Sequence, residues 1–126
     1  MKKLTAASVK KAEADHVRAL TIRRILPHDH DGVCFHCQQA AEKYLKALLV
    51  ELGLAVPRTH NLDDLHRLLY AHHRVVRSVR RGLMFLTDFA VDVRYPGDSA
   101  SKRQAASALR WAARVRTLVR TLLGLP

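Results

Sequence analysis

An all-α domain of four to five helices is predicted by three features of the sequence. Ala, Leu and Arg dominate it, glycine and proline number only 5 and 4 among 126 residues, and apolar residues recur at helical rather than alternating spacing. The length is that of one domain, and 48% hydrophobic residues fill one real core, so residues 1–126 are read as a single unit.

The elements follow in order. A first helix is expected from about Leu4 to Arg24, where Val9, Ala12, His16, Ala19, Leu20 and Ile22 fall near helical spacing. Residues 27–32 break it, and Asp31 is the expected cap of a second helix that runs to Leu52 and closes on a left-handed Gly53. Pro57 holds the next stretch extended, and Asn61 with Asp64 three residues on has the spacing of a capping box for a short third helix to about Ala71. A fourth, from about Val75 to Val91, carries Val75, Val79, Leu83, Leu86 and Ala90 on one side, with a break or kink allowed at Gly82. Residues 94–97 read as a turn, after which Asp98 or Ser99 is expected to cap a fifth helix ending near Leu123.

Charge is unevenly spread. The chain has 22 Lys+Arg against 11 Asp+Glu, a net +11, of which residues 67–126 hold +9. Such a field draws polyanions, so nucleic acid, a nucleotide or an acidic protein partner all fit it, as does a merely solvated surface. On the fifth helix Ala108, Trp111, Val115, Leu118, Val119 and Leu122 share one arc, with Arg103, Arg110 and Arg114 roughly opposite, about 110° round the helix, and Lys102, Arg116 and Arg120 in a row beside them. The first arc reads as core, with Trp111 in the core or at a dimer interface; the basic rows read as solvated surface or as a face for RNA or nucleotide.

No uncharged stretch approaches the length of a membrane span. Lys10, Lys11, Glu13 and Asp15 interrupt what would have to be the apolar part of a secretory signal, and two cysteines three apart make no disulfide framework, so a cytoplasmic protein is expected. His28, His30, Cys34, His36 and Cys37 offer zinc donors within ten residues. On a helix, however, His36 points about 130° from the mean direction of the two cysteines. Buried thiols acting as small hydrophobes are the better reading, and no metal or cofactor is expected.

The second helix carries a stripe of Cys34, Cys37, Ala41, Leu45, Leu48 and Leu52 with Gln38 inside it. A buried amide without partners costs about 1–3 kcal/mol, so Gln38 is expected to bond to another helix or to a second subunit. Glu42 and Lys46 form an i,i+4 pair at the border of the stripe. The run Cys34-Phe35-His36-Cys37-Gln38-Gln39-Ala40-Ala41-Glu42-Lys43-Tyr44-Leu45-Lys46-Ala47-Leu48-Leu49 resembles the signature helix of HEPN domains. Thr59-His60-Asn61-Leu62 and Arg94-Tyr95-Pro96 resemble two further motifs of that family in the right order.

The resemblance covers most of the chain and implies an up-and-down bundle, usually a homodimer, often encoded beside a minimal nucleotidyltransferase in a toxin–antitoxin-like module. HEPN ribonucleases carry an Arg and a His four to six residues apart near the start of the last helix, the Arg binding the scissile phosphate and the His moving a proton without metal. Here Arg94 is present, but Ser99, Ala100 and Ser101 stand where the base is due. The spacing recurs as Arg67 to His72 and Arg23 to His28, matches that arise readily by chance among 15 arginines and 8 histidines.

Binding candidates are therefore Arg94, Tyr95, His60, Arg103, Arg110 and Arg114. His60 either bonds to its loop or contacts a phosphate, and Tyr95 is a turn residue, a stacking platform or a target for adenylylation by a partner transferase. The reading that results is a HEPN chain that binds nucleotide or RNA beside a nucleotidyltransferase and lacks strong ribonuclease activity. A metal-independent endoribonuclease toxin, with Arg67 and His72 as weak catalytic candidates, and a purely structural dimerisation module are its rivals.

Overall fold

The computed structural model describes residues 1–91 and 97–126, and among them every regular element is helical. The order is α1 (Lys3–Ile25), α2 (His30–Glu51), α3 (Leu62–Tyr70), a 3₁₀ segment (Arg74–Val79), α4 (Arg80–Leu86), a 3₁₀ turn (Thr87–Phe89) and α5 (Lys102–Leu122). The short α1–α2 connection makes these two helices antiparallel neighbours, with Thr5 bonded to Glu51 near one end and Asp15 to His36 further along. α5 lies on α2 as well, so α2 is the central rod of the bundle. It buries Val33, Cys34, Cys37, Tyr44, Leu45 and Leu48 almost completely. Burial pushes the Cys37 thiol far above its usual range, leaving it a small hydrophobe rather than a ligand.

Polar contacts fix the α1–α2–α5 seam. Glu13 of α1 accepts the Tyr44 hydroxyl of α2 and binds Arg116 at 2.8 Å and Arg120 at 3.1 Å, both of α5. The buried Asp15 carboxylate takes Lys43 and the His36 ring, the latter at 2.9 Å. Burial alone would raise both carboxyls, but these bonds hold Glu13 and Asp15 below their ordinary values, so both are ionised at neutral pH.

Four local expectations need correction. The α2 cap is Asp29, which accepts the Gly32 N–H at 2.9 Å, while Asp31 instead accepts the distant Ala100 N–H at 2.7 Å. Asn61 caps α3 through the Asp63 N–H, but Asp64 takes the Thr59 hydroxyl, so no reciprocal box forms. The cap of α5 is Ser101, with Gln104 completing a capping box. The single fourth helix is replaced by the 3₁₀ segment, α4 and the 3₁₀ turn. Three β-branched valines and Arg74, Arg77, Arg80 and Arg81 crowded at i,i+3 and i,i+4 oppose a regular helix there.

Gly82 is no kink: it lies inside α4, where the Trp111 ring occupies the space a side chain would need. An added Cβ would stand 2.2 Å from two atoms of that ring. Helix propensity alone predicts that Gly82→Ala stabilises by about 1 kcal/mol. The clash reverses the sign, and urea unfolding is expected to give a variant less stable by about 1–3 kcal/mol. An unchanged or raised midpoint contradicts this packing.

Candidate nucleic-acid interface

The second-helix motif and the Thr59–Leu62 motif converge on one polar knot. Glu42, almost fully buried, accepts from Gln38 Nε2 at 3.2 Å and from Lys46 Nζ at 3.0 Å, and lies 2.9 Å from His60 Nδ1. Gln38 also donates to the His60 carbonyl at 3.2 Å and accepts from Gln39, so its needs are met within the chain. That removes the argument that Gln38 requires a second subunit. It also makes Glu42 more than a partner of Lys46 along the helix surface. Burial would raise the Glu42 carboxyl, but the bonds from His60, Lys46 and Gln38 hold it below its ordinary value. Thr87 closes the knot, donating to the His60 carbonyl and accepting the Leu62 N–H.

The knot leaves the His60 ring 71% exposed, held by an ionised carboxylate on one nitrogen and presented to solvent along its other edge. The loop role and an outward imidazole therefore coexist in one residue. Arg94 and Tyr95 lie outside the described residues. Ser101, where the resemblance expects the catalytic base, spends its hydroxyl on the Gln104 N–H as the α5 cap, and Ala100 is buried. Arg67 is held by Asp63 at 3.2 Å, with Arg80 on the other oxygen at 3.3 Å, and His72 is exposed just past the end of α3.

Charge on α5 divides into two classes. Arg116 and Arg120, placed by sequence in a second basic row, share the single carboxylate of Glu13, which offsets one of their two charges. Arg103, Arg110 and Arg114 are exposed and have no carboxylate partner among the described residues; Arg110 bonds to Ser107 at 3.0 Å, and Arg114 lies over the Trp111 ring at 5.0 Å. They form a ridge about 16 Å long at the helical rise. Trp111 is half-buried, one part of the ring wedged over Gly82 and another under Arg114.

A groove of about 520 Å³ separates this ridge from the 3₁₀ segment, lined by Ser78, Val79, Arg114, Thr117 and Leu118 among others. Arg77 and Arg81 stand exposed on the segments that flank it. The basic face thus crosses from α5 to the 3₁₀ segment, an extension the sequence reading missed although Arg74-x-x-Arg77-x-x-Arg80-Arg81 marks it. Among the described residues no three His, Cys, Asp or Glu side chains form a metal-binding group, and no helix is long and apolar enough to cross a membrane.

A family model described as the HEPN domain matches residues 7–122. The crystal structure of an archaeal HEPN homologue is similar over 97% of this chain and 98% of that one, with a TM-score of 0.77 at 25% sequence identity. Among curated proteins none matches. The family match over nearly the whole chain, the five-helix architecture and the motif residues gathered at Glu42 and His60 together make this chain a member of the HEPN family.

Proposed function

We propose that this HEPN chain binds RNA or nucleotide along the α5 ridge, works with a minimal nucleotidyltransferase partner in a toxin–antitoxin-like module of the cytoplasm, and lacks strong ribonuclease activity. The observation that supports it is the row of Arg103, Arg110 and Arg114, exposed and without a carboxylate partner among the described residues, on a helix whose Arg116 and Arg120 share Glu13. The partner and module come from the family resemblance alone. Fluorescence anisotropy with a single-stranded RNA 12-mer is expected to show binding that weakens when these three arginines become Gln; equal binding sinks the reading.

A homodimer belongs to the same reading, although its support is no longer Gln38. α1 leaves Val17 and Leu20 exposed one turn apart, apolar side chains that a second copy would cover. Light scattering at micromolar concentration is expected to give twice the chain mass. The monomer mass contradicts it.

One observation favours the ribonuclease reading. His60 is a carboxylate-held, outward imidazole, the arrangement a general base needs. On the main reading, cleavage of single-stranded RNA in EDTA is undetectable, or about 10²–10⁴-fold below that of a HEPN nuclease with an intact Arg and His pair. Robust EDTA-resistant cleavage abolished by His60→Ala, or by His72→Ala, with the fold retained, establishes the rival.

A further inference from the structure

We propose that the groove between α5 and the 3₁₀ segment docks an acidic amphipathic helix of a partner protein. The groove, about 520 Å³ in volume, has an aliphatic floor made by Val79 and Leu118. Ser78 on one wall and Ala113, Thr117 and Thr121 on the other are exposed and small, so the backbone of a docked helix can come close. Ala113 to Thr121 covers two turns of α5, about 12 Å at the helical rise, which matches two turns of a helix laid along it.

Charge names the partner. Arg114 lines the groove, Arg110 stands one turn before it on the ridge, and Arg77 and Arg81 are exposed on the facing segments. The 3₁₀ segment, α4 and α5 together contain no Asp or Glu. Carboxylates of the neighbouring helices are engaged elsewhere: Glu13 of α1 holds Arg116 and Arg120, and Asp63 of α3 holds Arg67 and Arg80. The other acids of the basic half, Asp88, Asp92 and Asp98, fall in the connection between α4 and α5. Among the described residues no carboxylate lines the groove, so its arginines are left for carboxylates from outside. A helix with leucines on one face sets them on Val79 and Leu118, while Asp and Glu at the flanks of that face meet Arg114 on one side and Arg77 on the other.

Two other occupants fit less well. A second copy of the chain carries +11 and no acid on this face, so pairing the two grooves would oppose arginine with arginine. An RNA strand can place phosphates on the rim, but none of the lining residues is aromatic and the aliphatic floor gives its bases no face to stack on. Docking stands on the groove itself and not on RNA binding, with which it shares only the ridge arginines.

The probe is a fluorescein-labelled 18-residue peptide with leucines on one helical face and glutamates at its flanks, compared by anisotropy with a scrambled peptide of the same composition. The amphipathic peptide is expected to bind about tenfold or more tightly than the scrambled one near 0.15 M salt. Emission of Trp111, the single tryptophan and a neighbour of Arg114, is expected to change along the same curve. T117R adds a cation but fills the groove, so it is expected to remove the preference with unchanged circular dichroism, and A113R to do the same. R77Q/R114Q, which takes one cation from each side, is expected to weaken the peptide about tenfold. R23Q/K102Q removes as much charge from a separate recess where Arg23, His28 and Lys102 meet, and is expected to leave the peptide unaffected. Equal binding of the two peptides, or a preference that survives T117R or A113R, overturns the proposal. So does a T117R chain that loses RNA and keeps the peptide, which makes the groove an RNA channel. RNA binding measured without peptide reports on the ridge alone, so either reading can fail while the other stands.

Discussion

Replacing Glu42 by Gln is expected to lower the unfolding free energy at pH 7 by about 1–3 kcal/mol, the cost of spoiling hydrogen bonds to a buried hub. Glu42 serves Gln38, Lys46 and His60 at once, and the neutral amide can accept on only one atom. Gln38 has no solvent to turn to, being fully buried, whereas Lys46 and His60 are partly exposed and their share is screened. The sign with pH follows from the depressed carboxyl. Its folded value lies below the ordinary 4.5, so its contribution is complete above about pH 4.5 and is lost as pH falls through the folded value. Wild type and Glu42→Gln should therefore differ in urea midpoint at pH 7 and converge toward pH 3. Glu13 and Asp15, depressed in the same way, make both curves fall together in acid. A difference that is constant between pH 7 and 3 contradicts the account.

Removing the ridge arginines is expected to weaken RNA binding by about one to two orders of magnitude near 0.1 M salt, since three lost phosphate contacts forfeit both attraction and counterion release. Arg116→Gln is the informative control. Its guanidinium is spent on Glu13, which makes its loss a matter of stability across the α1–α5 seam rather than of affinity. The two arginines lie two positions apart on one helix, so a purely net-charge effect would treat Arg114→Gln and Arg116→Gln alike. The local geometry predicts that only the first costs affinity.

Much of this division was hidden in the sequence for a physical reason. Helical spacing sorts Arg103, Arg110 and Arg114 onto one side because periodicity is local, and it marks the α1, α2 and α3 spans to within a few residues for the same reason. It could not show that Glu13, more than a hundred positions earlier, holds both Arg116 and Arg120. The choice of Asp29 over Asp31 as a cap was equally invisible, because Asp31 is drawn to Ala100 across the fold. By contrast, the α5 boundary was legible and misread. Ser101-Lys102-Arg103-Gln104 is a capping-box sequence, stronger than Asp98 or Ser99 as a start signal.

The site divides in the same way. His60 was visible as a motif residue, and its tie to Glu42 required the α2–α3 loop to fold back over the helix. Arg23 and His28 were visible only as a spacing that chance explains. Their approach to Lys102, more than seventy residues away, depends on the chain returning to the α1–α2 turn before α5 starts there and runs along α2.

The salt dependence of RNA binding tests the α5 ridge most directly. The slope of log affinity against log salt should be steep for the wild-type chain and shallower by about 2 for R103Q/R110Q/R114Q, at about 0.7 per phosphate contact with a single strand. The same slope for both chains would show that RNA, if bound, does not lie on this ridge, and would return these three arginines to the role of a solvated face.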